Sequence, residues 1–463
     1  MTEQISRFSN ISPTDYRYKE KRLLPFLSEE GFVQYKSKVE GALAHTQADR
    51  GLISRETADE ISRAALDVPA EEVYEEEDKI RHDVIAQKNR TVARVSHAAK
   101  PAVHRPSTSF DKVEPANAAR YRDAFEQVIL PDSAALARQW IGDVRQYKDM
   151  LQIGRTHLQH AEPITYGFTL AWYLHRFCER VQRMKEAVGR LQGKFSGSVG
   201  AYNASSIFFD DPEEFEREVL SKMGLKPAEL STQIAPMEPT LDLVHYTISA
   251  FGVLANWADD MRNLMRPEIA EVGMPRGSAD TSTSSIMPHK LNPVGPENVK
   301  SLWKEAMPRI ITVYIDQISD HQRDLTNSAS QRYIPEIFDI FDYAVTRAAR
   351  SSGSIKPHPE NMKKNFMMSA DKIISEPLHI LLSAYGHPGA HKCVEGLVEK
   401  SYKEGKSLTE LAMSDPSLQP YISKFTQKQA SILKNPEQYT GIAASKAAKV
   451  ADAWDARLKG MGF

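Results

Sequence analysis

The sequence predicts an all-α protein built around a bundle of long helices. Apolar residues recur three or four positions apart through several segments of twenty or more residues, which is the spacing of one buried helix face. Few runs show the alternation of β-branched and polar residues that half-buried strands need. The composition is globular, with 41% hydrophobic and 26% charged residues among 463. A chain of this length exceeds one compact core, so we expect two or three domains, or one elongated helical body with smaller ends.

Charge and cysteine content exclude several kinds of function. The chain has 59 basic and 61 acidic residues, a net charge of -2, and no basic face that would predict nucleic-acid binding. Its two cysteines, Cys178 and Cys393, cannot supply a disulfide framework or a cysteine-rich zinc site. The acidic run at 71–79 lacks the spaced oxygens and turn glycine of a cation-binding loop and predicts a solvated helix face. We therefore expect no metal and no cofactor.

Membrane insertion and secretion have no support in the sequence. No apolar run approaches the roughly 20 residues that a bilayer-spanning helix needs. The first ten residues, MTEQISRFSN, lack the basic region and apolar stretch of a secretion signal. We therefore expect a cytoplasmic protein.

The first hundred residues predict a small helical domain. Segments 28–45 and 56–66 have helical apolar spacing, and Ser28 and Ser54 each precede acidic residues in the way that helix starts favour. The segment 101–117 is rich in Pro, Ser and Thr, which predicts a boundary loop. We therefore place an N-terminal helical domain at 1–105.

Long helices then predict a central bundle domain at 106–354. Apolar stripes lie within 165–195 and 241–265, and similar segments run through about 297–317 and 333–350. The two clearest stripes consist of Phe177, Val181, Met184, Val188, Leu191 and Phe195, and of Leu241, Val244, Ile248, Phe251, Ala255, Ala258, Met261 and Met265. Extended helices bury such stripes only against neighbours, so we expect a homo-oligomeric bundle. A linker after Ser351, SSGSIKPHPENM, predicts a C-terminal helical domain at 355–463.

The loop at 273–298, GMPRGSADTSTSSIMPHKLNPVGPEN, is the first segment that points to chemistry. It is dense in Gly, Ser, Thr and Pro, and loops of this length are either functional or disordered. Its portion SSIMPHKLNP resembles the SS-x-MP-x-K-x-NP signature of the fumarase/aspartase superfamily, with a nearly complete match over ten positions. The resemblance implies a three-domain helical fold with a long central bundle. It also implies β-elimination of fumarate from a substituted succinate.

This chemistry accounts for the residue types in the loop. Removing a proton next to a carboxylate gives a doubly charged aci-carboxylate, which Lys290 and Asn292 would stabilise. Ser284 is the predicted base, activated as an alkoxide by positive charge and backbone N–H groups when the loop closes, and Ser285 is a loop donor. The choice of the first serine follows the family pattern, six residues before the lysine. The residues alone do not distinguish Ser284 from Ser285 as the base.

A second segment, GRTHLQHAEPITYG at 154–167, resembles the T-H-x-Q-x-A segment of adenylosuccinate lyases, a family within that superfamily. The resemblance implies that His157 protonates the amine leaving group, that Glu297 orients it and that Thr156 contacts the substrate. A histidine without this motif would more often be a surface or core side chain. His160 keeps that interpretation.

Further segments resemble the same family in chain order. SPTDYRY (12–18) and IRHDV (80–84) match segments that hold the nucleotide, STSFDKVEPANA (107–118) one that suits a carboxylate, and RDLTNSASQR (323–332) one that suits a phosphate. KFSGSVGAYN (194–203) matches a structural stretch. The substrate-binding residues implied are Arg17, Tyr18, His82, Asp83, Thr108, Ser109, Gln233, Arg323, Ser328 and Arg332. Arg17 alone would more often be a solvated surface charge.

The resemblance covers about residues 11–370 and is closest to the adenylosuccinate lyase family. It implies a homotetramer with active sites built from several subunits. The small-molecule substrate implied is a succinyl-purine nucleotide: adenylosuccinate, cleaved to AMP and fumarate, and SAICAR, cleaved to AICAR. We therefore expect a function in purine nucleotide biosynthesis.

Two departures from the family pattern bear on the substrate. Met237, Glu238 and Pro239 stand where basic residues are usual. In the 105–110 loop, Arg105, Pro106 and Phe110 replace smaller residues. The alternatives are a sister lyase for another substituted succinate, such as an argininosuccinate lyase-like enzyme, or a cycloisomerase. A non-catalytic protein that reuses the scaffold is disfavoured because the five predicted catalytic residues are all present.

Overall fold

The structure, a computed structural model, describes residues 11–463, and these residues are mostly helical. Residues 1–10, on which the prediction about secretion rests, lie outside the described range. The helices up to residue 147 are α1 (Pro13–Tyr16), α2 (Leu24–Leu27), α3 (Glu29–Asp49), α4 (Arg55–Leu66), α5 (Ala70–Ile80), α6 (Asp83–Val92), α7 (Phe110–Ala124) and α8 (Leu130–Tyr147). A π-helical stretch, Phe125–Ile129, joins α7 to α8.

The remaining helices follow in two groups. The middle group is α9 (Tyr166–Val188), α10 (Pro212–Ser221), α11 (Glu238–Leu264), α12 (Val294–Ala306), α13 (Arg309–Ile315) and α14 (Ile334–Ser354). The last group is α15 (Pro359–Met367), α16 (Ala370–Ile373), α17 (Ser375–Ala384), α18 (Ala390–Glu404), α19 (Leu408–Ser414), α20 (Gln419–Ile422), α21 (Gln427–Lys434) and α22 (Ala443–Gly460).

Short strands pair two by two between the helices. They are β1 (Leu151–Thr156) with β2 (Gln159–Thr165), β3 (Gln192–Gly193) with β4 (Lys226–Pro227), β5 (Val272–Gly273) with β8 (Lys356–Pro357), and β6 (Ser282–Thr283) with β7 (Leu291–Asn292). The β3–β4 pair is parallel and the other three pairs are antiparallel. The strands therefore form isolated pairs and no extended sheet among the described residues.

The chain divides into two compact units. The first contains the described residues up to 135 together with 179–255 and 298–347. Its core includes Phe338, whose ring meets the edges of Tyr121 and Phe125 at centroid distances of 5.4 and 4.9 Å. Aromatic pairs in this arrangement add to the stability gained from burial. The three-domain division at 105 and 354 remains a prediction.

The second unit contains residues 136–178, 256–297 and 348–463. Trp140 lies at its centre, 5.6 Å from the Phe177 ring and 5.7 Å from the Trp257 ring. The Trp140 Nε1–H donates to Ser352 Oγ at 3.0 Å, so the polar edge of this buried indole is satisfied. None of the helices within residues 11–463 is long and apolar enough to cross a bilayer.

Several predictions about local structure are confirmed. Ser28 Oγ accepts the Gly31 N–H at 3.1 Å and Ser54 Oγ accepts the Thr57 N–H at 3.2 Å, so both serines cap their helices. The acidic run forms α5, whose buried residue is Val73. All members of the two apolar stripes except the half-buried Met265 are buried.

Other predicted boundaries are wrong. The predicted loop 101–117 ends early, because α7 begins at Phe110 and buries Pro115 within it, and packing of the helix compensates for the bond that a proline cannot make. The third long segment is two helices, since Pro308 separates α12 from α13. Helix α9 ends at Val188, so Leu191 and Phe195 lie beyond it although they are buried.

The predicted linker after Ser351 is also shorter than expected. Helix α14 continues to Ser354, and only four residues separate it from α15. Two of these, Lys356 and Pro357, pair with β5, and the His358 N–H donates to Glu271 O at 2.8 Å. Pairing with a distant segment thus orders a stretch whose composition resembles a flexible linker.

Candidate active site

A two-residue turn at the tip of the β1–β2 hairpin carries His157. His157 and Leu158 both have positive φ, 51° and 62°, as a type I′ turn requires, and Thr156 pairs with Gln159 across it. Positive φ is uncommon for residues other than glycine, and such strained conformations concentrate at functional sites. Thr156 and His157 are both exposed. The hairpin therefore presents the predicted proton donor to solvent at a fixed position.

A buried carboxylate holds the base of this hairpin. Glu271, which is fully buried, accepts hydrogen bonds from Arg155 Nη2 at 2.5 Å, Gln152 Nε2 at 2.9 Å and Asn365 Nδ2 at 3.0 Å. These charge-assisted bonds compensate for burying the carboxylate. Glu271 therefore fixes the strand that leads to His157.

The signature loop is closed by its own backbone. Strand β6 pairs with β7, the Ser284 N–H donates to Lys290 O at 3.1 Å, and the Lys290 N–H donates to Met287 O at 2.9 Å. Arg276 Nη1 adds a bond to Pro288 O at 2.9 Å. Lys290 is exposed and Asn292 is half-buried. The loop thus presents the predicted base and lysine at the two ends of one tight turn.

Backbone donors surround the hydroxyl of Ser284. Its Oγ accepts the N–H of Ile286 at 3.3 Å and of Met287 at 3.0 Å. Hydrogen bonds to an oxygen stabilise its charged form, so this arrangement favours an alkoxide. Ser285 is an exposed neighbour in the same turn. The geometry therefore supports Ser284 as the base of the pair.

The loop returns to α12 through Gly295, which has no room for a side chain. A Cβ on Gly295 would lie 2.3 Å from Ser351 Oγ and 2.6 Å from the Cβ of Asp280. The Gly295 N–H donates to Asp280 O at 2.9 Å, and Arg350 Nη2 lies 3.5 Å from the buried Asp280 carboxylate. Glycine is needed here because the side chains of Ser351 and Asp280 approach closely.

Glu297 lies in the first turn of α12, and its side chain is 47% exposed. Its Oε1 is 3.9 Å from Arg262 Nη2. Among the described residues of one chain, Glu297 and His157 form no hydrogen bond with each other. The orientation of His157 by Glu297 stays a prediction. It would require the two residues to come from different chains of the predicted oligomer.

A cavity of about 410 Å³ in the first unit gathers many of the predicted binding residues. This volume is in the range of small-molecule sites. Its lining includes His82, Asp83, Ser109, Gln233, Arg323, Ser328 and Arg332. Segments far apart in the sequence thus contribute to one cavity, and the contact of these residues with a substrate stays a prediction.

Five other predicted binding residues lie outside this lining: Thr156 and Asn292, described above, and Arg17, Tyr18 and Thr108. Arg17 is exposed, with its Cζ 5.9 Å from the centroid of the Tyr18 ring, and Tyr18 packs edge-on against Tyr343 at 5.7 Å. The Thr108 N–H donates to Asp111 Oδ2 at 2.8 Å, just before α7 begins at Phe110. Their contact with a substrate remains a prediction.

The cavity carries fixed charges of both signs. His82 caps α6, with its Nδ1 accepting the Ile85 N–H at 3.4 Å. Burial acts to raise the pKa of Asp83, but Lys36, 3.3 Å away, outweighs it and holds that pKa below its ordinary value. Arg332 lies 3.9 Å from Glu29 and its side chain is half-exposed. No group of three or more His, Cys, Asp or Glu side chains within residues 11–463 is arranged to hold a metal ion.

Comparison with known proteins defines the family. The chain matches the family described as Lyase over residues 15–307. It is 34% identical over 449 residues to an adenylosuccinate lyase of Pyrococcus abyssi, which covers 94% of this chain and 95% of that protein. The corresponding enzyme of Pyrococcus horikoshii is 33% identical, with 95% and 97% covered. The chain belongs to the adenylosuccinate lyase family. Accordingly it is a fumarate-releasing C–N lyase, and the predicted enzyme class is confirmed.

Solved structures agree with this assignment of the fold. A 3-carboxy-cis,cis-muconate lactonizing enzyme from Pseudomonas putida superposes with a TM-score of 0.83 at 22% identity, covering 96% of this chain and 99% of that one. A fumarate lyase from Mesorhizobium sp. BNC1 gives 0.81 at 21% identity, covering 94% and 98%. The lyase therefore has the helical fumarase/aspartase fold that the sequence predicts.

Sequence reasoning missed several residues of this lyase that line the cavity or support the hairpin. Arg120 is buried, its Cζ lies 4.2 Å from the Phe32 ring centroid, and its Nε donates to Asn117 Oδ1 at 2.9 Å. The spacing of Asn117 and Arg120, three residues apart on α7, is a signal that could have linked them. Glu271 carries no comparable signal, because its partners come from distant segments.

Proposed function

We propose that this lyase cleaves adenylosuccinate to AMP and fumarate, and SAICAR to AICAR and fumarate, in purine nucleotide biosynthesis. The observation that carries the proposal is the cavity that unites Arg323, Arg332 and Ser328. A nucleotide phosphate carries close to two negative charges and several acceptor oxygens, which two guanidinium groups and a hydroxyl suit. The names of the curated relatives point to the same substrate.

The proposed reaction uses the residues of the hairpin and the signature loop. Ser284 removes a proton from the succinyl carbon next to a carboxylate, and Lys290 and Asn292 stabilise the resulting aci-carboxylate. The electron pair then forms the double bond of fumarate as the C–N bond breaks. His157 delivers a proton to the departing amine nitrogen. Ser285 assists as a loop donor.

We also propose a cytoplasmic homotetramer with active sites built from several subunits. The support within the first unit is a set of apolar residues in α13 and next to its two ends that remain exposed in one chain. Met307, Ile311, Ile315 and Ile318 are 40%, 60%, 60% and 73% exposed. Contiguous exposed apolar surface of this kind is characteristic of an interface. A second copy of the chain is the proposed occupant.

A sister lyase for another succinylated amine is the second candidate. The Phe110 ring lines the cavity where the family resemblance predicts a smaller residue. Glu238 begins α11 and accepts from Gln317 Nε2 at 3.2 Å, in a stretch where the family carries basic residues. Argininosuccinate fits less well, because its guanidinium would lie among Arg323 and Arg332 without a phosphate to offset the charge.

Titration of AMP by calorimetry and the absorbance change of adenylosuccinate test the proposal. Arg332→Ala should weaken the phosphate contact by about 1.5–3 kcal/mol, seen as a higher KM. Arg217→Ala, which removes an exposed arginine paired with Glu214 on α10, is the control and should leave KM unchanged. A wild-type enzyme that ignores AMP and adenylosuccinate, yet releases fumarate from another succinyl amine, would establish the second candidate.

A further inference from the structure

The Phe110 ring and the Arg323 guanidinium face each other in the cavity. The Arg323 Cζ lies 4.6 Å from the centroid of the Phe110 ring, within the range of a cation–π contact. Both residues line the cavity. We infer that Phe110 is a positioning residue: it holds the Arg323 guanidinium in an orientation that leaves its N–H donors available to a substrate oxyanion. The inference rests on the proposed function, because the oxyanion is taken to belong to the succinylated nucleotide.

The Arg323 guanidinium has N–H donors that find no acceptor among the described residues. Its Nε and Nη1 are buried, and neither makes a hydrogen bond to any residue within 11–463. Buried donors of a charged group are costly to leave without an acceptor. An oxyanion in the cavity would satisfy them, since a guanidinium edge presents two parallel N–H groups to such a group.

Two carboxyl groups, those of Glu114 and Asp316, feel the charge of the Arg323 guanidinium. Burial raises the pKa of Glu114 to about 7, and the charge of Arg323 opposes that rise. Burial also raises the pKa of Asp316, again against the charge of Arg323, while Asp316 Oδ1 accepts from Ser330 Oγ at 2.6 Å. Both carboxyls therefore lie within electrostatic reach of Arg323, and neither is hydrogen-bonded to it. A guanidinium free to turn would pair with one of them and withdraw its donors from the cavity.

The Phe110 ring opposes that rotation. A guanidinium stacked by its face on an aromatic ring keeps its edge available for a planar partner. The backbone at Phe110 is itself fixed by the next residue, because buried Asp111 accepts from Lys194 Nζ at 2.6 Å, the Gly197 N–H at 3.1 Å and the Thr108 N–H at 2.8 Å. The Phe110 ring is therefore attached to a fixed backbone. This would give a function to the phenylalanine that stands where the family pattern has a smaller residue.

Binding measurements on the full-length enzyme test the inference. Phe110→Ala should weaken AMP binding about tenfold and raise KM for adenylosuccinate to a similar degree, with kcat changed less than about twofold. Phe110→Leu fills the space without a π face and should behave like F110A, whereas Phe110→Tyr should retain wild-type affinity. Phe209→Leu removes the ring that lies 5.0 Å from Arg50, outside the cavity lining, and should leave AMP affinity unchanged.

A double-mutant cycle separates positioning from space filling. The F110A substitution should add little to Arg323→Ala, because the ring acts through the arginine. Titrations with adenosine and with fumarate identify the oxyanion: a phosphate contact leaves adenosine binding insensitive to F110A, and a carboxylate contact makes fumarate binding sensitive. Additive losses for the two substitutions, or wild-type affinity in F110L, would overturn the inference while leaving the proposed function intact. A wild-type enzyme that binds no AMP would overturn both.

Discussion

Ser284 is the proposed base, although a serine hydroxyl is ordinarily a weak one. The two backbone N–H groups that Ser284 Oγ accepts favour its charged form, and Lys290 at the other end of the turn brings positive charge to the same loop. Both features come from backbone closure of a short turn. The exposed position of the loop also means that substitutions there should leave folding intact.

Replacing Ser284 by alanine should abolish turnover and leave AMP binding nearly unchanged. Loss of a positioned base costs about 10²–10⁴ in kcat. Ser285→Ala, in the same turn, is the matched control and should have a much smaller effect on kcat. A purified S284A enzyme with more than about a tenth of wild-type kcat would show that Ser284 is not the base.

The sequence identified the residues of contiguous motifs and missed those joined only by folding. Ser284, Lys290 and Asn292 stand within ten positions, so their chemistry could be argued from one segment. Glu271 supports the His157 hairpin through Gln152 and Asn365, and nothing in the local sequence marks such a buried acceptor. The contact of Phe110 with Arg323 likewise depends on packing between segments far apart in the chain.

The element that delivers Ser284 is the segment from β6 to the first turn of α12, and Gly295 fixes its return. A side chain at Gly295 would overlap Ser351 and Asp280, both of which lie in buried surroundings. The loop would have to shift to accommodate it. Small displacements of a catalytic group cost rate even when the fold is retained.

Gly295→Ala should therefore lower kcat at least about tenfold and lower the melting temperature. The matched control is Gly142→Ala, because Gly142 lies in α8 with no heavy atom within 4 Å of an added Cβ. Alanine there should stabilise the protein by about 0.5–1 kcal/mol and leave kcat unchanged. Equal activity of G295A and wild type would contradict the role of this close approach.

Helix α14 carries a pH-sensitive carboxyl. Burial raises the pKa of Asp339 to about 7, although its Oδ1 accepts the Glu20 N–H at 2.8 Å. The folded state therefore binds the proton more tightly than the unfolded state does. The resulting stability is complete below the ordinary aspartate range and is lost as the pH rises through about 7.

Asp339→Asn should remove that loss. Relative to wild type, the variant should gain stability as the pH rises from about 4 to about 7, and its gain at pH 8 should exceed its gain at pH 5 by about 1–3 kcal/mol, so its melting temperature should vary less with pH. Scanning calorimetry between pH 5 and 8 measures this, with the exposed Asp210→Asn as control. Melting curves of D339N and wild type that remain parallel over the whole range would refute the prediction.

Helix starts with a side-chain cap could be predicted better than a start without one. Ser28 and Ser54 were recognisable as caps because one residue type and its neighbours make the bond. The start of α7 at Phe110 depends on the burial of Asp111 and Pro115, which composition alone disguises as a loop. At the start of α7, tertiary packing therefore outweighed local propensity.

At the level of the whole molecule, assembly is the main proposal. The stripe of Met307, Ile311, Ile315 and Ile318 exposes apolar side chains that a monomer would leave in water. Light scattering should give a mass near four chains, and activity should fall on dilution into monomers. Ile311→Glu with Ile315→Glu should lower the mass, whereas Ile442→Glu, at another exposed apolar position, should not. A fully active monomer would contradict sites built from several subunits.

The fold class and family could be predicted because helical periodicity and the signature loop are both local patterns. The distribution of the predicted catalytic and binding residues between the two units could not be predicted, because it depends on how distant segments fold. His157 and Ser284 lie in the second unit, and the cavity with Arg323 and Arg332 lies in the first. A single linear sequence does not reveal which unit each of these residues belongs to.

The reaction itself is tested most directly by a mass balance on purified enzyme with adenylosuccinate. AMP and fumarate are quantified together as the substrate absorbance falls, with argininosuccinate supplied in a parallel reaction. We expect equal amounts of AMP and fumarate, no product from argininosuccinate, and loss of both products in S284A. Stable adenylosuccinate together with fumarate released from argininosuccinate would contradict it.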